Sequence, residues 1–233
     1  MMKRVLIKLS GEALGGENGE LYNHPFVEGV AKALGASVKS GVEVAVVVGA
    51  GNIWRGRQGG EMDRTTADRM GMLATVINSL CLKDALIREG FSATVMTAIP
   101  MSPFAECYDA ELAKRYLSEG KIVILGAGLG MPFVSTDTAG AVRAAEIGAD
   151  AMLMAKNIDY IYTADPRKDP NAKKLPTVSC SQILEWGLAA IDATAAAFCR
   201  SVGLPVRMFG MNEPMDIFAA VKGEKPGTVV TPD

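Results

Sequence analysis

Residues 42–48 read Val-Glu-Val-Ala-Val-Val-Val and run directly into Gly49-Ala50-Gly51-Asn52. A near-continuous β-branched run does not alternate inward and outward residues. It suits a strand covered on both faces, as in a parallel sheet with helices on either side. Val5–Leu9 and Ile122–Leu125 are of the same buried type, and Ala93–Thr97, Ala151–Met154, Val206–Phe209 and Thr228–Thr231 read as further strands. Between them lie helical segments at Pro25–Ser40, Asp63–Arg88, Ala110–Ser118, Thr136–Ile147, Ser181–Trp186, Ala193–Ser201 and Met215–Val221. In the first of these Phe26, Val30, Leu34 and Val38 share one side. Strands alternating with helices predict an α/β fold, a three-layer α/β/α sandwich with a largely parallel central sheet. With 233 residues, 49% of them hydrophobic, and no linker or repeat, a single domain over 1–233 is expected.

Composition excludes several function classes. Lys and Arg total 24 against 26 Asp and Glu, with no basic arm, so nucleic acid is not an expected partner. One histidine, His24, and no H-E-x-x-H motif leave no metal-ligand set, zinc included. Cys81, Cys107, Cys180 and Cys199 are widely spaced and read as buried thiols in a reducing compartment. The apolar stretch after Met1-Met2-Lys3-Arg4 is too short for a signal peptide, and none approaches the roughly 20 residues of a membrane span. The expectation is a soluble cytoplasmic protein with no membrane partner.

Five segments at predicted strand or helix ends carry charge or glycine: Lys8-Leu9-Ser10-Gly11-Glu12, Gly49–Asn52 with Arg55, Asp68–Met72, Gly130–Asp137 and Asn157–Pro166. Glycine turns after buried strands let backbone N–H groups approach a phosphate, and nearby lysine, arginine and carboxylates supply the charges of phosphoryl transfer. Each has a plainer reading beside it. Lys8 could snorkel to solvent, or meet an anion at the strand end. Arg55 could be solvated, or could grip phosphate with its planar fork. Ser135-Thr136-Asp137 is a helix N-cap, and such an N-terminus is also an anion site; Asp137 could in addition orient the lysine. Asp68 has no obvious structural partner and could hold ribose hydroxyls. Ile158, Tyr160 and Tyr162 alternate as in an extended strand or hairpin; Tyr162 could flank a base while Asn157 and Asp165 take its amine or the ribose, or the segment is an ordinary hairpin with an Asx turn. Gly126-Ala127-Gly128-Leu129-Gly130 fits the dinucleotide pattern poorly, because Met131 occupies its third glycine position, and no G-x-x-x-x-G-K-[ST] P-loop is present.

The combination resembles the amino-acid kinase family, and within it the bacterial uridylate (UMP) kinases, over essentially the whole chain. The segments that carry the resemblance are Lys8–Leu14, Gly49–Gly56, Asp68–Thr75, Pro132–Asp137, Asp159–Pro166 and Met211–Pro214, with D-x-MGMLAT at Asp68–Thr75 the discriminating one. The resemblance implies transfer of the ATP γ-phosphoryl group to UMP with Mg²⁺, in pyrimidine nucleotide synthesis. It implies ATP contacts at Lys8, Leu9, Ser10, Gly11, Gly51, Arg55, Asn157, Tyr162 and Asp165. UMP contacts are implied at Ala50, Asp68, Leu129, Gly130, Met131, Pro132, Phe133, Val134, Ser135 and Thr136, through the backbone where Ala50, Leu129 and Met131 replace smaller or polar residues of relatives. Residues 1–150 would form the UMP-binding lobe and 151–233 the ATP-binding lobe. The resemblance further implies a homohexamer built from dimers, activated by GTP through a loop at Gly16–Leu21 and inhibited by UTP.

On this reading Lys8 and Arg55 neutralise the phosphates, Asp137 and Asp192 orient Lys8 and help to organise Mg²⁺, and no general base is needed because a phosphate oxygen is already a nucleophile. Rivals are a carboxylate or carbamate kinase, which would lack a ribose-binding acid such as Asp68, and a silent nucleotide sensor, which would be expected to lose Lys8 or Asp137. The Asp63–Arg88 helix is expected to bear a self-pairing apolar stripe of Met70, Leu73, Val76, Ile77 and Leu80, extended by Met72 and Leu86.

Overall fold

The computed structural model describes residues 2–16, 19–54 and 60–233. Eleven strands and seven α-helices follow one another among these residues. In chain order they are β1 (Arg4–Leu9), α1 (His24–Lys39), β2 (Glu43–Val48), α2 (Arg64–Arg88), β3 (Ala93–Thr97), β4 (Glu106–Cys107), α3 (Ala110–Ser118), β5 (Ile122–Gly126), α4 (Thr136–Glu146) and β6 (Ala151–Lys156). After these come β7 (Ile161–Tyr162), β8 (Lys174–Leu175), β9 (Thr177–Ser179), α5 (Cys180–Glu185), α6 (Ala193–Val202), β10 (Val206–Gly210), α7 (Asp216–Lys222) and β11 (Gly227–Thr231). The regular elements follow the sequence expectation to within a few residues, because long apolar periodicity dominates them. Four short pieces were not anticipated: a 3-10 turn at Gly11–Leu14, and strands β4, β8 and β9, which are too short to carry a pattern.

A nine-stranded sheet has the order β4-β3-β5-β2-β1-β6-β10-β11-β9, and only β10 and β11 pair antiparallel. The chain therefore winds outward from β1 on one side and returns to its other side at β6, and the C-terminal ends of β1, β2, β5 and β6 meet near the middle. That is the position where ligands bind in open parallel sheets.

Strand parity sorts the core into two layers. Val5, Ile7 and Leu9 join Val44, Val46 and Val48 beneath α1, α2 and α7. Leu6, Ala45, Val47, Met152 and Met154 pack on the opposite layer, with residues of α3, α4 and α6. Lys8 has the parity of Leu6, so it points toward α4. Gly140 lets α4 approach β1: a Cβ there would stand 3.0 Å from Met152 Sδ and 3.5 Å from Leu6.

Several expectations change. Only Cys180 and Cys199 are buried; Cys81 is half-buried and Cys107 exposed, and all four are free. The long helix α2 is apolar enough over 18 residues to cross a membrane by length and composition, contrary to the expectation that no stretch approaches a span, but half of that window is buried inside the protein. Its stripe also divides. Met70, Leu73 and Ile77 are exposed, whereas Val76, Met72 and Leu86 point into the core. A 25-residue helix lying on a sheet must bury one of its faces, and the stripe spans both.

Candidate active site

The site begins with three charges at strand ends. Lys8, next to last in β1, is 7% exposed, and its Nζ lies 2.8 Å from Asp137 Oδ1. Lys156 ends β6 with the same parity, and its Nζ reaches Asp137 Oδ2 at 2.9 Å. Asp137 is in the first turn of α4 and is itself 9% exposed. Burial alone would raise its carboxyl, but the two ammonium groups outweigh that and hold it below the usual carboxylate range. Burial also lowers Lys156, and the neighbouring Lys8 charge adds to the effect. Two ammoniums share one carboxylate, so the cluster carries a net positive charge in a place where charge is costly unless it meets an anion.

Lys156 is not among the residues that the sequence analysis singles out. Its signal was the same as that of Lys8: a lysine at the end of an otherwise buried strand.

The α4 N-terminus is built as expected. Ser135 caps it, its Oγ accepting from the N–H groups of Asp137 and Thr138 at 3.1 and 3.0 Å. Asp192 does not pair with Lys8, contrary to expectation. It caps α6 by accepting from Ala195 N–H at 2.9 Å, and it takes hydroxyl hydrogen bonds from Ser135 and Thr138. Asp192 therefore ties α6 to the start of α4, and its charge lies near enough to Lys156 to favour the ammonium.

Two cavities lie near the cluster: its lysines line the larger, and the smaller reaches Thr136, next to Asp137 in the chain. One, of about 170 Å³, is lined by Ala50, Asp68, Leu129, Met131, Val134 and Thr136 among the expected contacts, and by Trp54, Met72, Thr75 and Ala127, which were not expected to contact a ligand. The other, of about 530 Å³, is lined by Lys8, Ser10, Lys156 and Asn157, with Glu12 and Phe26. Gly130 and Pro132 instead line a separate apolar hollow. Leu9 is fully buried, so only its backbone could serve a ligand. Gly11 packs backbone to backbone on the β2 turn, where a Cβ would come within 2.4 Å of Gly49 O. Arg55 lies outside the described residues, as do Glu17 and Asn18 of the Gly16–Leu21 loop.

The loops are pinned by side chains from α2. Asn78, fully buried, donates to Gly49 O at 2.7 Å and exchanges amide hydrogen bonds with Asn52, while Tyr22 OH donates to its Oδ1. An amide within the apolar run Met70–Leu80 was the available signal, since a buried amide needs partners. Thr75 Oγ1 accepts from Ala127 N–H at 2.9 Å, holding a residue with φ 62°. Asp68 has a structural partner after all: its Oδ2 accepts from Phe133 N–H at 2.8 Å, and Arg64 Nε lies 2.9 Å from Oδ1.

The 157–175 segment is a hairpin, but a smaller one than the alternation suggested. Only Ile161–Tyr162 pairs with Lys174–Leu175. Asp159 organises it, accepting from Tyr162 OH at 2.8 Å and from Lys174 Nζ at 2.6 Å. Asp165 makes an Asx turn with Arg167 N–H and is exposed; neither it nor Tyr162 lines either cavity described above.

Against known proteins, the profile of the amino acid kinase family matches residues 3–210. A uridylate kinase of Mycobacterium sp. (strain KMS) is 48% identical over 99% of this chain and 92% of its own length. The crystal structure of UMP kinase from Bacillus anthracis superposes with a TM-score of 0.95 at 38% identity, covering 100% of this chain and 97% of that one. The UMP kinase from Ureaplasma parvum gives 0.94 at 32% identity, covering 99% of both chains.

Proposed function

The chain belongs to the amino acid kinase family, and from that premise we propose that it is a nucleoside monophosphate kinase that transfers the γ-phosphoryl group of ATP to UMP, giving ADP and UDP. The observation that carries the chemistry is the buried Lys8–Asp137–Lys156 cluster, whose lysines line the larger cavity while Thr136, next to Asp137 in the chain, lines the smaller. A phosphoryl group in flight spreads negative charge over its oxygens, and preorganised cations stabilise that charge with no covalent help from the protein. Lys8 and Lys156 supply the cations, and Asp137 fixes their separation.

ATP takes the larger cavity, from residues 151–233 together with Lys8–Gly11 and Gly51, with Asn157, Tyr162 and Asp165 near its adenosine. UMP takes the smaller one, within residues 1–150, with Asp68 at the ribose. Its phosphate lies at Ser135–Thr136, where the helix N-terminus favours an anion. Arg55 belongs beside the phosphates.

No cluster of three acidic, histidine or cysteine side chains exists among the described residues. Mg²⁺ would arrive with the nucleotide, shared between phosphates and water, with Asp137 and Asp192 the carboxylates at hand. When bound it neutralises donor-phosphate charge.

The same reading extends to a cytoplasmic homohexamer built from dimers, activated by GTP and inhibited by UTP. The exposed Met70, Leu73 and Ile77 on α2 support self-association.

The test is a coupled ADP-release assay across UMP, CMP, dTMP, glutamate and carbamate. UMP should be strongly preferred. No ADP with UMP, or faster turnover of a carboxylate or carbamate, would overturn the proposal.

A further inference from the structure

Three residues beside the smaller cavity are not used together by the mechanism above: Asp68 lines it, and Arg64 and Phe133 both bond to Asp68. Arg64 opens α2, Asp68 lies one turn further on, and Phe133 belongs to the loop between β5 and α4. Arg64 Nε donates to both oxygens of Asp68, at 2.9 and 3.0 Å. Phe133 N–H donates to Asp68 Oδ2 at 2.8 Å. The Arg64 guanidinium also lies over the Phe133 ring, 5.6 Å from its centroid.

Phe133 has φ 66°, in the left-handed region that a bulky residue adopts only when its surroundings hold it there. The residue is 69% exposed, so core packing is not what holds it. Among the described residues, the hydrogen bond to Asp68 and the cation over the ring are the contacts that bear on it. Two residues on, Ser135 caps α4, which carries Asp137 in its first turn.

We propose that Arg64 and Phe133 are positioning residues that form a latch on Asp68, setting the loop at 130–135 against α2 and fixing the shape of the acceptor cavity. This rests on the acceptor reading of that cavity. A carboxylate offers about four lone-pair sites. The latch uses three, and the Asp68 side chain is 17% exposed, so it keeps capacity for a ligand hydroxyl. Latch and acceptor can then engage the same carboxylate at once. Each favours the other, because a carboxylate already held in place loses less freedom on binding.

The test joins amide exchange in the ligand-free protein to steady-state kinetics, for wild type, Arg64→Gln, Arg64→Lys and Phe133→Leu. Arg64→Gln should speed exchange of the Phe133 amide by about three- to fivefold and raise the UMP KM by about the same factor, the upper range for loss of a partly exposed ion pair. The ATP KM and kcat should stay within about twofold, because the donor side and the lysines are untouched. Arg64→Lys keeps the charge and should fall between the two. Phe133→Leu keeps the N–H bond and should give the smaller effect. Unchanged Phe133 exchange in Arg64→Gln, or an equal rise in both KM values, would overturn the latch. A wild type that does not phosphorylate UMP would sink the substrate reading alone, because ligand-free exchange still decides the latch.

Discussion

Replacing Asp137 by asparagine removes the carboxylate that Lys8 and Lys156 share. The substitution is nearly isosteric, so its cost is electrostatic: two ammonium groups remain close together in a largely buried site. Breaking a buried ion pair by removing one partner costs about 3–5 kcal/mol. A second argument bounds the same quantity. One lysine can escape by losing its proton, which from an ordinary pKa of about 10.4 costs about 4.6 kcal/mol at pH 7 but only about 1.9 kcal/mol at pH 9. The penalty should therefore be about 3–5 kcal/mol at pH 7 and shrink by on the order of 2 kcal/mol by pH 9.

The sign follows from proton linkage. The folded variant holds its lysine protons less tightly than the unfolded chain, so its stability rises with pH. Lys156 is already lowered in the wild type, which gives a weaker trend of the same sign, so the informative quantity is the variant minus the wild type. Urea denaturation of both proteins at pH 7, 8 and 9 measures it. Inorganic triphosphate at about 100 times its Kd should restore about 2.7 kcal/mol by binding only the folded form. A penalty below about 1 kcal/mol, or one that does not change with pH, would refute the claim that the cluster is a strained excess of positive charge.

Further outcomes follow from the same geometry. Lys8→Met leaves Asp137 and Lys156 as a balanced pair, so circular dichroism should show a normal fold while turnover of ATP and UMP falls on the order of 10²–10³; near-normal turnover would remove Lys8 from the mechanism. Because burial lowers Lys156, the alkaline limb of the wild-type rate should begin below the ordinary lysine range, and Lys156→Gln should lose that limb along with most of the rate; an identical pH profile in the variant would return Lys156 to a structural role. Asp68→Asn should weaken UMP more than ATP in titration calorimetry, and equal effects would leave Asp68 only its contacts to Phe133 and Arg64. Ile77→Asp places a charge on the exposed face of α2 and should split any assembly seen by light scattering without unfolding it, whereas Val76→Asp buries the charge and should unfold the subunit; a wild type that runs as a 24.6 kDa monomer would remove the proposed interface.

The sequence alone determined the elements that depend on local repetition. The valine run of β2, the alternating apolar segments and the helical spacing of α1 each report burial through a period that a linear chain displays, and the parallel sheet follows from those patterns. The α4 cap was equally legible, because Ser135 acts on N–H groups two and three residues away. Only the tertiary structure decided the rest. Lys156 joins Lys8 because β6 lies beside β1 in matching register, and strand order is not written in either strand. Asp68 finds its partner 65 residues away, and Asn78 holds a turn 29 residues before it. Asp192 was expected to orient Lys8 but caps α6 and ties it to the start of α4, because the approach of α6 brings it to the hydroxyls of Ser135 and Thr138. The apolar stripe of α2 shows the same limit from the other side: hydrophobicity marks Val76 and Ile77 alike, and only packing against the sheet decides that one is core and the other surface. Patterns with a short period are fixed by the chain's own geometry, whereas a pairing between distant residues is fixed by which surfaces bury each other.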